Sequence, residues 1–265
     1  MIDNKKLTFF DQLRIQRRVI WALILREMIT RYGREGLGVI WIIAEPAMFI
    51  SGVLLIFSAI GHSAYSGTSA AEWMAVSYPT LLLWRNGTGR VVKAVEINRA
   101  LLHHRPVRPM DILYSRIILE FASATGASLF LYLILIAIGI CHWPADLLTM
   151  LIGWFMLIWF SLTFVLLMAA LADLSETIER VSHMITYLML PVSGVFMPTF
   201  LIPQPYRDYL LLFPLVDCVE WFHHGYYGDR MPSYYFPEYT IIALIWMTLF
   251  SYALINIANR RVQSV

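Results

Sequence analysis

The chain has 265 residues, 59% of them hydrophobic and 14% charged, with a formal net charge of +2 and a mean hydropathy of +0.64. That apolar share exceeds the usual share of a soluble domain, which excludes an ordinary water-soluble enzyme and leaves no room for a second soluble domain. So small a net charge says little, because its asymmetry across a membrane is what matters, and no nucleic-acid partner is expected.

Six apolar runs, 39–60, 73–92, 112–140, 147–172, 181–200 and 239–258, each supply the roughly 20 helical residues that a bilayer core requires. Lys and Arg number 8 in residues 1–38, 7 in 85–116, one (Arg180) in the fourth connection and 2 at the C-terminus. Only Arg207 and Arg230 are left for the other side. Positive residues stay cytoplasmic, so both termini are expected inside with six crossings between them. The fold class expected is an all-α membrane protein with six transmembrane helices. An N-terminal amphipathic interface helix occupies 1–38, and the membrane unit spans 39–265. No secretory signal peptide is expected, because a long charged segment without a small-residue cleavage site precedes the first run.

Residues 7–36 are too polar to cross. Leu7, Phe10, Leu13, Val19, Trp21, Ile24 and Leu25 alternate with Arg14, Arg17, Arg18, Arg26 and Arg31. Such a helix lies in the membrane interface or packs on a partner, on the cytoplasmic face in either case. Gly33, Gly36 and Gly38 then turn the chain into the first span. Within that span Glu45-Pro46 removes a backbone donor and kinks the helix. Glu45 pairs with a basic residue near the inner face or carries protons.

The second run holds the sharpest local signal. Trp73–Trp84 is apolar but too short to cross, so the helix continues through Arg85, Asn86, Gly89 and Arg90. Helical spacing places Tyr78, Leu82, Arg85, Gly89 and Lys93 on one side, with Asn86 and Arg90 beside it. A charge facing lipid costs about 2.5–3.5 kcal/mol or more, which directs such a stripe toward protein or water. Two readings stand: a cationic wall for an anionic substrate along Tyr78, Arg85, Gly89, Arg90 and Lys93, or an Arg85 that snorkels inward or pairs with Glu45.

The connection over 96–111 is basic and amphipathic, and its Pro106 and Pro109 are expected to end a short helix that docks in a groove on a partner. Its other reading is a positive-inside anchor. Cys141 and Cys218 both fall near the outer face, where a disulfide is allowed but two apolar thiols are the plainer reading. Asp173, Glu176 and Glu179 make the fourth connection the acidic one on the inner face. In the long outer connection, prolines 198, 203, 205 and 214 cut the apolar sequence into pieces too short to cross, which predicts re-entrant or interfacial half-helices around 199–230. Tyr226, Tyr227, Tyr234, Tyr235 and Phe236 are expected at headgroup level, as anchors or as sugar-stacking faces. There is no Gly-rich phosphate loop, His-Glu-x-x-His or Cys-x-x-Cys, so neither a catalytic nor a metal site is expected and this chain binds no cofactor.

Three stretches carry a resemblance. They are LREMITRYGREGLGVIWIIAEP at 25–46, AVEINRALLHHRPVRPMD at 94–111, and SGVFMPTFLIPQPYRDYLLLFPLVDCVEWFHHGYY at 193–227. The chain resembles the permease subunit of ABC type-2 exporters that move capsular polysaccharide out of Gram-negative bacteria, the group 2 capsule and polysialic acid branch above all. The resemblance implies a permease of the inner membrane that pairs with a second copy of itself and with two ATP-binding subunits. ATP and Mg would be bound in that partner, the cargo would be a lipid-linked polysaccharide, and periplasmic and outer-membrane export components would follow.

Carried over, a coupling helix at about 96–109 would sit in the ATPase cleft with Asn98, Leu101, His103, His104, Arg105, Pro106, Val107 and Arg108. His103 and His104 depart from the Asn and Tyr expected there. Glu176 and Glu179 would form a second, smaller contact. Arg26, Glu27 and Arg31 would mark the interface helix near the ATPase, and 199–230 would close the outer mouth. The rivals are export of another substrate by the same architecture (an O-antigen, a teichoic acid or a small amphiphile) and a membrane enzyme of polysaccharide synthesis. An enzyme would need clustered carboxylates, where the sequence offers scattered Glu96, Asp111 and Asp173.

Overall fold

The structure is a computed structural model that describes residues 8–32, 38–60, 67–98, 100, 102 and 107–263. Among the described residues the chain forms ten α-helices: α1 (Phe9–Tyr32), α2 (Gly38–Ile60), α3 (Ala70–Val91), α4 (Ala94–Ile97), α5 (Pro109–Ala137), α6 (Leu147–Leu174), α7 (Glu176–Val192), α8 (Tyr206–Leu211), α9 (Pro214–Tyr227) and α10 (Pro237–Gln263).

Local chemistry explains where several of these begin. Thr8 and Asp11 close a reciprocal cap on α1: the Thr8 hydroxyl donates to the Asp11 carboxylate at 2.6 Å, and the Asp11 N–H donates back to the hydroxyl at 3.3 Å. These bonds, the Thr8 hydroxyl first and its backbone N–H second, hold the Asp11 carboxyl below its ordinary value. Ser69 caps α3 by accepting from the Glu72 N–H at 3.0 Å. The Asp146 carboxylate caps α6 by accepting from Leu148 and Thr149 N–H at 2.9 and 3.2 Å. Pro109 opens α5 in its first turn, where a missing N–H costs nothing. It therefore starts the next helix instead of ending the one before.

Three helices are long and apolar enough to cross a bilayer among the described residues: Pro109–Ala137, Leu147–Leu174 and Pro237–Ala258. The other expected crossings fall on α2, α3 and α7. The run 181–200 is not one continuous helix. With Pro191 in its last turn, α7 ends at Val192, and Gly194 follows at φ +76°, a conformation that favours glycine. At 17 residues α7 is about 26 Å long.

α6 is the hub, packed against α9, α10 and α3. Lipid supplies no hydrophobic drive between helices, so close packing has to hold them together. Two glycines permit it. A Cβ at Gly225 would lie 2.1 Å from the Met150 nitrogen, and one at Gly153 would lie 2.5 Å from the Phe222 nitrogen. The pairs Gly225–Met150 and Gly153–Phe222 run α9 antiparallel to α6. Ala145 and Asp146 N–H groups then take up the Tyr226 and Gly225 carbonyls at 3.0 and 2.9 Å, satisfying the end of α9. Away from the hub, the outward faces of α5, α6 and α10 expose Leu129, Phe130, Phe155, Ile242, Trp246 and Phe250, an apolar girdle suited to lipid.

Candidate functional site

The proposed path residues lie on α3 and do not share one environment. Tyr78 is buried and stacks on Phe49 of α2 with ring centroids 5.7 Å apart. Arg85, two turns further on, is half-buried, and its guanidinium carbon lies 5.9 Å from the centre of the Tyr187 ring of α7. The α3 stripe therefore meets α2 through Tyr78 and α7 through Arg85. Gly89 is exposed, with open space where a Cβ would stand, and Lys93 is exposed as well.

Arg90 is turned away from this row. Its guanidinium bridges to Glu120 of α5 at 3.4 Å, and its carbonyl accepts from Arg116 Nη1 at 3.0 Å. The Glu120 carboxylate is almost fully buried, so it needs this cation. Arg90 thus clamps α3 to α5. Of Glu45 and Pro46 the structure describes only their place in α2; their side chains lie outside the described residues.

At the start of the segment expected to meet an ATPase, α4 is a single turn that ends at Ile97. Leu101, His103, His104, Arg105 and Pro106 lie outside the described residues, as do the side chains of Glu176, Glu179 and Arg31. Asn98 is well placed. It is buried, its amide nitrogen donates to the Ala94 carbonyl at 2.9 Å, and its Oδ1 accepts from Arg26 Nη1 at 3.1 Å. Glu27, next to Arg26, pairs with Arg116 of α5 at 3.3 Å. Gln16 of α1 donates to Asp111 Oδ1 at 3.2 Å, and the Arg108 N–H donates to Asp111 Oδ2 at 3.0 Å. Val107 packs partly buried against the core while Arg108 is exposed. The first helix is thus fastened to both ends of the segment between α4 and α5.

The N-terminal end of α3 holds a network that sequence reasoning missed. Glu72 is buried in the first turn of α3, where its Oε1 accepts from the Tyr226 hydroxyl at 2.8 Å. It also lies 2.9 Å from His142 Nδ1 and 3.7 Å from Arg230 Nη1. Tyr226 and Tyr227 are fully buried, so they are core residues and not headgroup anchors; Tyr234 and Phe236 remain exposed. The reason is Glu72, whose carboxylate draws the Tyr226 hydroxyl inward. The sequence carried a hint: Ser69-x-x-Glu72 marks a helix start, and a carboxylate at that position needs a partner. Cys141 and Cys218 are buried free thiols. Among the described residues no group of three or more His, Cys, Asp or Glu is placed to hold a metal ion.

The model of the ABC-2 type transporter family matches residues 18–227, most of the chain. The chain belongs to the ABC-2 type transporter family. Its relatives within that kind of protein align end to end. The capsule polysaccharide export inner-membrane protein CtrC of Neisseria meningitidis serogroup B is 34% identical, over 97% of both chains. The corresponding BexB protein of Haemophilus influenzae is 30% identical over 97% of both. The polysialic acid transport protein KpsM of Escherichia coli is 27% identical over 87% of this chain and 91% of its own. The matched region takes in α3, the segment between α4 and α5, and α9, the places where the geometry above gathers. Membership of the ABC-2 type implies an ATP-binding partner.

Proposed function

We propose that this chain is the membrane-spanning permease subunit of an ATP-driven exporter that moves lipid-linked capsular polysaccharide across the inner membrane of a Gram-negative bacterium. The observation that carries this reading is the end-to-end likeness to capsule polysaccharide export inner-membrane proteins. The working unit is two copies of the chain with two ATP-binding subunits, which bind the ATP and Mg, continued outward by periplasmic and outer-membrane components. Both termini face the cytoplasm, six helices cross, α1 lies along the inner face, and α8 and α9 are re-entrant.

In this account ATP-driven closure of the partner presses on 98–108 and on the acidic turn with Glu176 and Glu179. The Arg26–Asn98 and Glu27–Arg116 pairs pass that movement to α1 and α5. Arg31, Leu101, His103, His104, Arg105, Pro106, Val107 and Arg108 complete the contact with the ATPase. The polymer threads along the α3 stripe, where Arg85 and Lys93 supply positive charge, Tyr78 backs Arg85, and Gly89 leaves room; Arg90 serves that path by holding α3 in place. Glu45 and Pro46 bend α2 beside it.

The reading is tested by reconstituting this chain with its ATP-binding subunit in inverted vesicles. ATP-dependent movement of lipid-linked polymer into the lumen supports it. Intact ATP hydrolysis with no polymer moved, or movement without the ATP-binding subunit, contradicts it.

A further inference from the structure

The two halves of α1 are chemically different. In the second half Arg26 is bonded to Asn98, and Glu27 to Arg116. In the first half Arg14, Arg17 and Arg18 are exposed, and none has an ion-pair or hydrogen-bond partner among the described residues. Exposed Phe9, Phe10 and Trp21 stand on the same stretch. Cations left unpaired beside exposed aromatic rings suit a surface that is both anionic and apolar.

Between this half of α1 and α5 runs a groove of about 720 Å³. Its apolar side is formed by Ile20, Ile24 and Ile118, and Arg17, Arg18 and Trp21 border it. Ile24 is buried against Leu119, with Ile20 packed on the pair, so the apolar wall is built into the α1–α5 contact. The volume falls within the roughly 300–1,000 Å³ of ordinary ligand sites. Arg17 and Arg18 both border the groove, and each guanidinium offers a planar fork of donors that suits a phosphate. An acidic peptide would satisfy the arginines and leave the isoleucines uncovered. An anionic phospholipid satisfies both.

We propose that the α1–α5 groove binds one anionic phospholipid of the inner leaflet, its phosphate on Arg17 and Arg18 and its acyl chain over Ile20, Ile24 and Ile118. The site rests on the reading of α1 as lying along the inner membrane face. A lipid seated there braces the helix that carries Arg26, so the anionic lipid content of the bilayer sets how firmly α1 holds Asn98.

The test uses the full chain reconstituted in equal phosphatidylglycerol and phosphatidylcholine, extracted gently and weighed by native mass spectrometry. The unaltered chain retains phosphatidylglycerol in preference to phosphatidylcholine. The Arg17→Gln/Arg18→Gln variant retains roughly tenfold less, whereas Arg14→Gln, outside the groove, retains as much as the unaltered chain. Equal retention by the double variant, or equal retention of the two lipids by the unaltered chain, overturns the site. A spin label at Phe9→Cys separates the two levels of the reading. A label at headgroup depth without lipid retention sinks the site alone; a label in bulk water sinks the placement of α1 as well.

Discussion

Arg26 donates to Asn98 Oδ1 at 3.1 Å, joining the first helix to the segment that enters α5 across 72 positions of sequence. Asn98 is buried, and its other amide atom is spent on the Ala94 carbonyl, so it cannot turn away without losing both bonds. A hydrogen bond to a charged group contributes about 1.5–3 kcal/mol. Asn98→Ala is expected to lower export roughly tenfold while leaving permease abundance and ATP hydrolysis near normal. Asn98→Asp, which keeps the acceptor, retains most of it. Surface polymer measured beside ATPase activity of the purified complex decides this, and loss of both together would make the bond merely structural.

In the proposed function Arg105 stands at the core of the coupling segment. Arg105→Glu is expected to uncouple ATP hydrolysis from export without loss of membrane insertion. Normal export by that variant would remove 98–108 from the coupling path.

Arg85 stands against Tyr187, while Arg90 is spent on Glu120. The two arginines therefore differ in kind. Arg85→Ala is expected to cut export of an anionic polymer severalfold, of the order that losing one exposed charge contact allows, with unchanged assembly with the ATPase. Arg90→Ala leaves Glu120 buried without its cation and lowers the amount of folded permease instead, at about 3–5 kcal/mol for a broken buried pair and less to the extent that Arg90 reaches solvent. Surface polymer normalised to permease level separates them. Equal surface polymer in Arg85→Ala would end the cationic-wall account.

Gly225 and Gly153 let two backbones touch. Gly225→Ala places a methyl 2.1 Å from the Met150 nitrogen and must push α9 off α6. The expected loss is about 3 kcal/mol or more, seen as a fall in the thermal midpoint of the detergent-solubilised protein. Gly52→Ala, with nothing within 4 Å, is the control and leaves the midpoint unchanged or raised. Equal midpoints would mean the contact yields easily.

Much of the architecture was legible because it follows from local pattern. The apolar runs coincide with α2, α3, α5, α6 and α10, and the basic stretch before them became α1. The proline-cut connection before α10 holds two short helices, α8 and α9. What escaped depends on partners far away in sequence. Tyr226 looked like an interface aromatic until Glu72, 154 positions distant, was placed beside its hydroxyl. Arg90, beside the α3 stripe, read as part of the substrate path, yet Glu120 claims it. The early end of α7 was written in Pro191 and Gly194, but an apolar run that continues to Phe200 masked it.

Glu72 gives a further check on the start of α3. Glu72→Ala removes the nearer of two acceptors of the Tyr226 hydroxyl, the other being the His142 carbonyl, and leaves Arg230 without its carboxylate, at a cost of about 2–3 kcal/mol. Arg230→Ala, on a partly exposed cation, costs less, about 1 kcal/mol or below. Thermal midpoints of the two purified variants should fall in that order, and the reverse order would make Arg230 the centre of the network.

The most direct test of the central claim is where the polymer goes in a strain that lacks this chain, comparing the cell surface with the cytoplasm. The account predicts polymer absent from the surface, accumulated inside, and returned to the surface when the chain is restored. Polymer missing from both places would assign the chain to synthesis, and an unchanged surface coat would contradict capsule export as its task.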